Sequence, residues 1–377
     1  MPLHYNSTPI PTSTQKAVND IINQHKKPVF FHSMYYLARD TVFAWMCYVM
    51  FESIKGIVPE LVRYPMYSLA MGTVLTGHWV LGHECGHGSF SASKLQNDLV
   101  GYVIHSVLLV PYFSWQYSHN KHHKYTNHLI HGETHVPDTK KGAAAVLAVK
   151  RWLGSVFGTD EAFAFISVVG HLLVGWPLYL WLNFTGGRVA PDMETKLDRR
   201  GKMDHFRPSS QTMPDRLSTK IALSTAGCVT TCVGLVWSGM IYQYIGPYVV
   251  VNAWLVLYTW LQHADPAVPH YGLGTDVVVA DDAPQTHYHH MVGALCTIDR
   301  PYPWLVDELH HHIGTTHVAH HLNYGVPHYE AVECTRKLKV VLGDRYLYDP
   351  TPVWRAAMNV GRDCVYVDSV EGVQCYK

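Results

Sequence analysis

The sequence predicts an all-α, multi-pass membrane protein with about four transmembrane helices, further helices lying in the membrane interface, and a cytosolic histidine-rich di-metal domain. Three observations carry this expectation. Only 15% of the 377 residues are charged, against roughly 25% in typical globular proteins. Several apolar runs are long enough to cross a bilayer. Histidine is abundant at 27 residues, and eight of these fall in three compact clusters. Lys plus Arg balances Asp plus Glu at 29 each, so the basic footprint of a nucleic-acid binder is missing and no nucleic-acid partner is expected.

Taken in order, residues 1–34 read as a polar cytosolic N-terminal segment. Its opening, MPLHYNSTPIPTSTQK, has no basic stretch leading into an apolar one, so no cleaved signal peptide is expected. Residues 35–343 form the membrane domain. Tyr35–Phe51 is a first span, with Arg39 and Asp40 near its start, and Met66–Gly82 is a second that runs directly into His83. Leu99–Phe113 is too short to cross comfortably. Ala162–Phe184 is long enough but interrupted by Gly175-Trp176-Pro177. Ile221–Ile241 carries no charge over a length matching about 30 Å of hydrocarbon at about 1.5 Å per residue. Ile245–Gln262 follows, and Gly246-Pro247 reads as the break between the two. If the histidine clusters before and after these segments share one site, the crossings between them are even in number. The Ile221 and Ile245 spans already supply two, so Ala162–Phe184 is expected to lie in the interface, re-enter, or fold back at its proline. Arg188, Lys196, Arg199, Arg200, Lys202, Arg207 and Arg216 crowd the loop before Ile221 and place it in the cytosol. Residues 344–377 form a cytosolic tail. Eight scattered cysteines show no disulfide framework.

The three clusters are HECGH at His83–His87, HNKHH at His119–His123 and HVAHH at His317–His321. Each sets its histidines at i, i+4 or at i, i+3, i+4, offsets that share one face of a helix and aim the imidazoles at one point. The pattern HxxHH is expected about 0.14 times by chance at this histidine frequency, and it occurs twice. An isolated histidine is usually a buried, hydrogen-bonded side chain. Eight in three helical clusters point to metal, and eight imidazoles exceed one tetrahedral zinc, so two metals are the simpler count. His263, at the cytosolic end of the last span, is a ninth candidate ligand. HECGH also matches the HExxH motif of zinc peptidases, but that reading leaves both HxxHH clusters idle. Glu84 then orients an imidazole or lies on the helix surface. The run His310, His311, His312 is too closely spaced for all members to face one site, and reads as solvated or as support for the ligands.

The clusters and their flanks resemble the membrane fatty-acyl desaturases, specifically the Δ12 and ω3 branch. The resemblance runs from about Tyr35 to Gly343 through WVLGHECGHGSFS, HSVLLVPYFSWQYSHNKHHKYTNH, GETHVP, GWPLYLWLNFTG, LQHADPAVPHY and THVAHHLNYGVPHY. It implies two non-haem iron ions held on the cytosolic side by His83, His87, His119, His122, His123, His317, His320 and His321, with His263 as a further ligand and no catalytic residue beyond these. Asp265 and Asn120-Lys121 depart from common forms of the family, at positions not expected to bind metal.

The implied reaction is an O₂-dependent removal of two hydrogens from an acyl lipid to give a cis double bond. An unactivated methylene has no acidic proton, so a metal-derived oxidant is required, and neutral imidazoles suit iron among other metals. Two electrons come from outside. The sequence has no HPGG haem motif, so the resemblance implies a separate cytochrome b5 and its NADH-dependent reductase, docked on basic residues such as Lys121, Lys124 and Arg199. Trp79, Tyr112, Phe113 and Trp115 flank the first two clusters and are candidates for an apolar substrate tunnel. HECGH and GETHVP look like the Δ12 branch, which would make this an endoplasmic-reticulum enzyme acting on oleoyl phospholipid. The alternatives are an ω3 desaturase of linoleoyl chains, a hydroxylase or conjugase, and, in a different class, an intramembrane zinc protease or a zinc-binding membrane receptor.

Overall fold

A computed structural model describes residues 3–187, 203–275, 277–278, 284–285 and 289–377. Arg188, Lys196, Arg199, Arg200 and Lys202, part of the orientation argument, lie outside the described residues. The described chain is mostly helical: α1 Thr12–His25, α2 Phe30–Ser53, α3 Glu60–His87, α4 Lys94–Val107, α5 Tyr112–Lys124, α6 Ala144–Phe157 and α7 Glu161–Leu182. After the basic loop come α8 Ser218–Ser238, α9 Ile241–His263, α10 His290–Ala294, α11 Trp304–Leu309, α12 His317–Leu322, α13 His328–Leu342 and α14 Val353–Asp363. Strand β1 (His270–Tyr271) pairs antiparallel with β4 (Val373–Gln374), tying the C-terminal tail to the chain leaving α9; β2 (Val277–Val278) pairs with β3 (Pro284–Gln285). All eight cysteines are free.

The helices are arranged as lipid demands, apolar outward and polar inward. On α2, Val42, Trp45, Met46, Val49 and Met50 are exposed while Ser33 and Asp40 are buried. On α8, Val229, Val233, Val236 and Trp237 face out, and Ser224, Gly227 and Cys228 face in. By length and apolarity alone Glu161–Leu182, Asp215–Ser238 and Ile241–His263 qualify as membrane spans. Helices α2 and α3, of 24 and 28 residues, are long enough but diluted by inward polar groups. Among the described residues, the count of helices that qualify is three, or four if the bent α4–α5 pair is one span.

Three details differ from the sequence expectation. Ala162–Phe184 neither folds back nor breaks at its proline: α7 is one helix of 22 residues with Pro177 inside it. The reversal lies one element earlier, where α6 ends on Gly158 at φ 71°, a left-handed cap that glycine adopts without penalty. The α6–α7 pair is therefore the hairpin. Its two ends meet, the Val136 amide donating to the Thr185 carbonyl at 3.2 Å, so the pair returns the chain to its starting side and the even count holds. Second, α8 and α9 are separated at Gly239, with φ 70°, and Gly246 and Pro247 lie within α9. Gly246 is small because α3 presses on it: a Cβ there would come within 2.1 Å of Ser68 Oγ, just as one on Gly72 would come within 2.5 Å of Val250 Cβ. In lipid, where no hydrophobic effect drives helices together, such close approach is what packs them. Third, Leu99–Phe113 is a corner, with α4 and α5 meeting at 106°.

Outside the spans, α1, α10, α12 and α13 share one core that includes Val18, Ile22, Val318, Leu322 and Leu338. The N-terminal helix is thus packed onto the head that carries the third histidine cluster.

The α3–α9 contact generates a prediction. Gly72→Val inserts a branched side chain where Val250 already sits, and overpacking of this kind costs about 1–3 kcal/mol. The apparent melting temperature of detergent-purified protein should fall clearly below wild type; an unchanged value would show that the two helices are not in tight contact.

Candidate metal centre

Three helix ends and one short helix deliver the histidines. The helix α3 terminates on HECGH, with His83 and His87 one turn apart, and Gly86 between them leaves space for the Trp115 ring, which a Cβ would approach to 2.8 Å. The last two turns of α5 carry His119, His122 and His123, α12 carries His317, His320 and His321, and α9 ends on His263. One ring nitrogen from each of His83, His87, His119, His123 and His320 lies within 4.8 Å of the others, and the same holds for His122, His263 and His321. His317 joins the second group with its Nε2 3.0 Å from that of His263. All nine histidines singled out from the sequence therefore meet. The two groups touch where the His123 and His321 rings stack at 4.0 Å.

The nitrogens converge in a way that hydrogen bonding among neutral rings does not explain. Nε2–Nε2 separations are 3.2 Å for His83–His87, 3.2 Å for His119–His123, 3.1 Å for His123–His320 and 3.1 Å for His122–His263. Two nitrogens bound about 2.1 Å from one ion lie about 3.0 Å apart at a right angle and about 3.4 Å apart at a tetrahedral angle. The observed spacing falls between these two values, within the range of nitrogens that share one ion. His321 presents a fully buried Nε2 with no protein partner. The donor set fits a metal.

Two of the rings, His122 and His321, are held on their far sides by the protein. His122 Nδ1–H donates to the Glu133 carbonyl at 2.7 Å. The Thr126 hydroxyl donates to the His122 carbonyl at 2.9 Å, which leaves its oxygen to accept from His321 Nδ1–H at 3.0 Å. Each contact fixes the tautomer that turns Nε2 toward the centre. Burial drives His122 down to about 4 and His320 to about 3, both with desolvation as the first cause. The rings are neutral at physiological pH and available as ligands.

Several supporting residues were not assigned a role from sequence. Glu133, in GETHVP, is buried, pairs with Lys121 at 3.2 Å and accepts from the Gly187 amide at 3.2 Å. Lys121 is thereby committed to an internal ion pair and is not a free docking cation. Lys124 lies over the Tyr125 ring at 4.9 Å, and Arg199 is outside the described residues. Buried Asp299 accepts from the Val318 amide at 3.0 Å and from the Tyr346 hydroxyl, holding the start of α12. Only the motif context of Glu133 and Thr126 could have flagged them; Asp299 had no local signal.

Glu84 does not face the nitrogen groups. Its carboxylate accepts from the His328 amide at 2.6 Å and from His328 Nδ1–H at 2.7 Å. The general base that a zinc peptidase needs is therefore engaged elsewhere. The His310–His312 run is not solvated as a whole: His310 and His311 are buried, and His312 binds Asp307 at 2.8 Å. Of the four candidate tunnel aromatics, Trp79 and Trp115 wall the centre, stacking on His83 at 5.4 Å and on His119 at 4.6 Å. Tyr112 and Phe113 instead pack into the α4–α5 corner, Tyr112 against Gly101 and Phe113 against Tyr102.

A family model of fatty acid desaturases matches residues 61–351. The Delta(12)-fatty-acid desaturase of Arabidopsis thaliana is 35% identical over 96% of this chain and 94% of its own. The Delta(12) fatty acid desaturase of Mortierella alpina is 36% identical over 98% of this chain and 91% of its own. The oleoyl-12-hydroxylase of Ricinus communis is 34% identical over 91% and 83%.

The depressed imidazole pKa values set a pH dependence. Unfolded histidines protonate near 6.5, whereas His122 and His320 stay neutral down to about 4 and 3 in the fold. Between these limits the unfolded state binds more protons, so stability falls as pH drops. Chelator-stripped protein should lose melting temperature progressively from pH 7 to pH 5 and change little from pH 7 to pH 8. A flat or rising profile on acidification would contradict neutral packing.

Proposed function

The chain belongs to the fatty acid desaturase family, and from that premise we propose that it introduces a cis double bond at Δ12 of oleoyl chains in lipid, using two iron ions and O₂. It is an oxidoreductase acting on acyl chains. The observation that supports the two-metal part of this reading is the pair of imidazole groups, five and three nitrogens each within 4.8 Å; the Δ12 part is supported by relatives named Delta(12) desaturases. His83, His87, His119, His123 and His320 would hold one ion, and His122, His263, His317 and His321 the other. Imidazole suits iron, zinc, copper and nickel alike, so the choice of iron rests on the reaction, which needs a redox-active metal.

When bound, the iron pair supplies an oxidant strong enough to take hydrogen from an unactivated methylene. The protein's part is positional. Trp79 and Trp115 offer an apolar wall beside His83 and His119 against which an acyl chain can lie, and they keep water from the reacting carbons. The contacts of Glu133 and Thr126 keep the rings aimed before substrate arrives, so little reorganisation is left for the reaction. Overall, the acyl chain gives up two hydrogens, O₂ becomes two waters, and two electrons and two protons enter from outside. We assign the electrons to cytochrome b5 with its NADH-dependent reductase, and the location to the endoplasmic reticulum membrane with the centre facing the cytosol.

The Ricinus communis relative named an oleoyl-12-hydroxylase is about as similar as those named desaturases. Overall identity therefore does not separate the two outcomes at the same carbon. Expression in a yeast that makes oleate but no polyunsaturated acids does. New linoleate is the expected product. A hydroxylated oleate would assign the second outcome, and linolenate formed only after linoleate feeding would assign an ω3 activity and overturn the Δ12 reading. Alanine at His122 or His320 should abolish the product at matched protein level in the membrane; near-normal conversion in either would remove that residue from the proposed ligand set.

A further inference from the structure

Beside the five-imidazole group, the structure leaves a small space of about 20 Å³ lined by His83, His311, His320, His328, Val80 and Ala331 among others. A volume of about 10–15 Å³ on this measure holds one water. Three of the lining rings each leave one buried nitrogen without a protein partner: His83 Nδ1, His311 Nδ1 and His328 Nε2. The rings themselves are 3%, 2% and 5% exposed, so bulk solvent does not satisfy them.

The hydrogen-bond polarity of each nitrogen follows from what holds the opposite side of its ring. His311 Nε2–H donates to Asp40 Oδ2 at 2.8 Å, so its Nδ1 is an acceptor. Asp40 is fixed in turn by Arg39 Nε at 2.9 Å, and Arg39 reaches Glu308 at 3.1 Å. His328 Nδ1–H donates to Glu84 Oε2 at 2.7 Å, so its Nε2 is also an acceptor. With His83 Nε2 turned to the metal group, 3.2 Å from His87 Nε2, His83 Nδ1 carries the hydrogen and is a donor. One donor and two acceptors around a single-molecule space match the three bonds that a buried water typically makes.

We infer that this space binds one ordered water, which accepts from His83 Nδ1–H and donates to His311 Nδ1 and His328 Nε2, making His311 and His328 positioning residues for His83. The inference rests on the reading of His83 as a metal ligand. It gives HHHIGT and the histidine of VPHY a task, and it explains why a buried carboxylate, Asp40, sits inside a membrane helix: through His311 it sets the tautomer that the water requires.

The test is metal retention by full-length protein purified in detergent. Iron-57-loaded wild type, His328→Phe and Ala331→Val are titrated with a chelator, and the Mössbauer spectrum of each is recorded. His328→Phe removes an acceptor but also frees Glu84. Ala331→Val fills the space and leaves every histidine in place, so the two together isolate the water. Removing an outer support of a metal ligand costs 10–100-fold in affinity, and both variants should release iron at about 10- to 100-fold lower chelator activity with altered quadrupole splitting and unchanged helical content. His328→Gln, which restores an acceptor, should stay within about threefold of wild type. Wild-type retention and spectrum in either His328→Phe or Ala331→Val, or a His328→Gln as weak as His328→Phe, would overturn the inference. A wild type that carries no iron would count against the iron assignment instead, and the same titration with cobalt(II) would still read the water.

Discussion

Nine imidazoles packed with their nitrogens turned toward each other are an unfavourable arrangement unless something satisfies their lone pairs, because buried polar atoms without partners cost about 1–3 kcal/mol each. The whole chain is organised around meeting that cost. Long helices bring His83, His87 and His263 to one face of the membrane domain, the re-entrant corner brings His119, His122 and His123, and a short helix from the C-terminal head closes the ring with His317, His320 and His321. Some of these contributors are anchored from behind. Glu133 and Thr126 hold rings of the second and third clusters, Asp299 holds the start of α12, and Glu84 clamps His328. The fold supplies the geometry, and a metal pair supplies the shared partner for the lone pairs.

Burial of charge inside the membrane helices follows the same logic. Arg39, Asp40 and Glu308 form a linked set, and the side of α2 that carries Asp40 faces protein while its apolar side faces out. An ionisable group in such a place is expensive and is kept where it has a partner. The polar interior and apolar exterior of α2 and α3 also explain their modest mean hydropathy.

Much of this was legible in the residues. The i, i+3, i+4 spacing of the clusters depends only on helical geometry, so eight histidines could be named from it, and His263 from its place at the end of a span; all nine meet. The α8 and α9 spans were visible as apolar runs. Element boundaries were less legible where one residue's role depends on a distant neighbour. Gly246-Pro247 looks like a break in isolation and is instead a contact point for α3. Pro177 looks like a turn, yet α7 continues through it, and the reversal at Gly158 lies outside the apolar run that drew attention. The supporting layer was least legible, because Asp299 and Val318, or Asp40 and His311, are far apart in sequence and become partners only through tertiary packing.

The central claim is a two-metal centre held by imidazole nitrogens. X-ray absorption at the iron edge, with elemental analysis of full-length protein purified in detergent, reads it most directly. The account predicts about two irons per chain and a first shell of only nitrogen and oxygen at about 2.1 Å. One tetrahedral zinc per chain, or sulfur in the first shell, would contradict it.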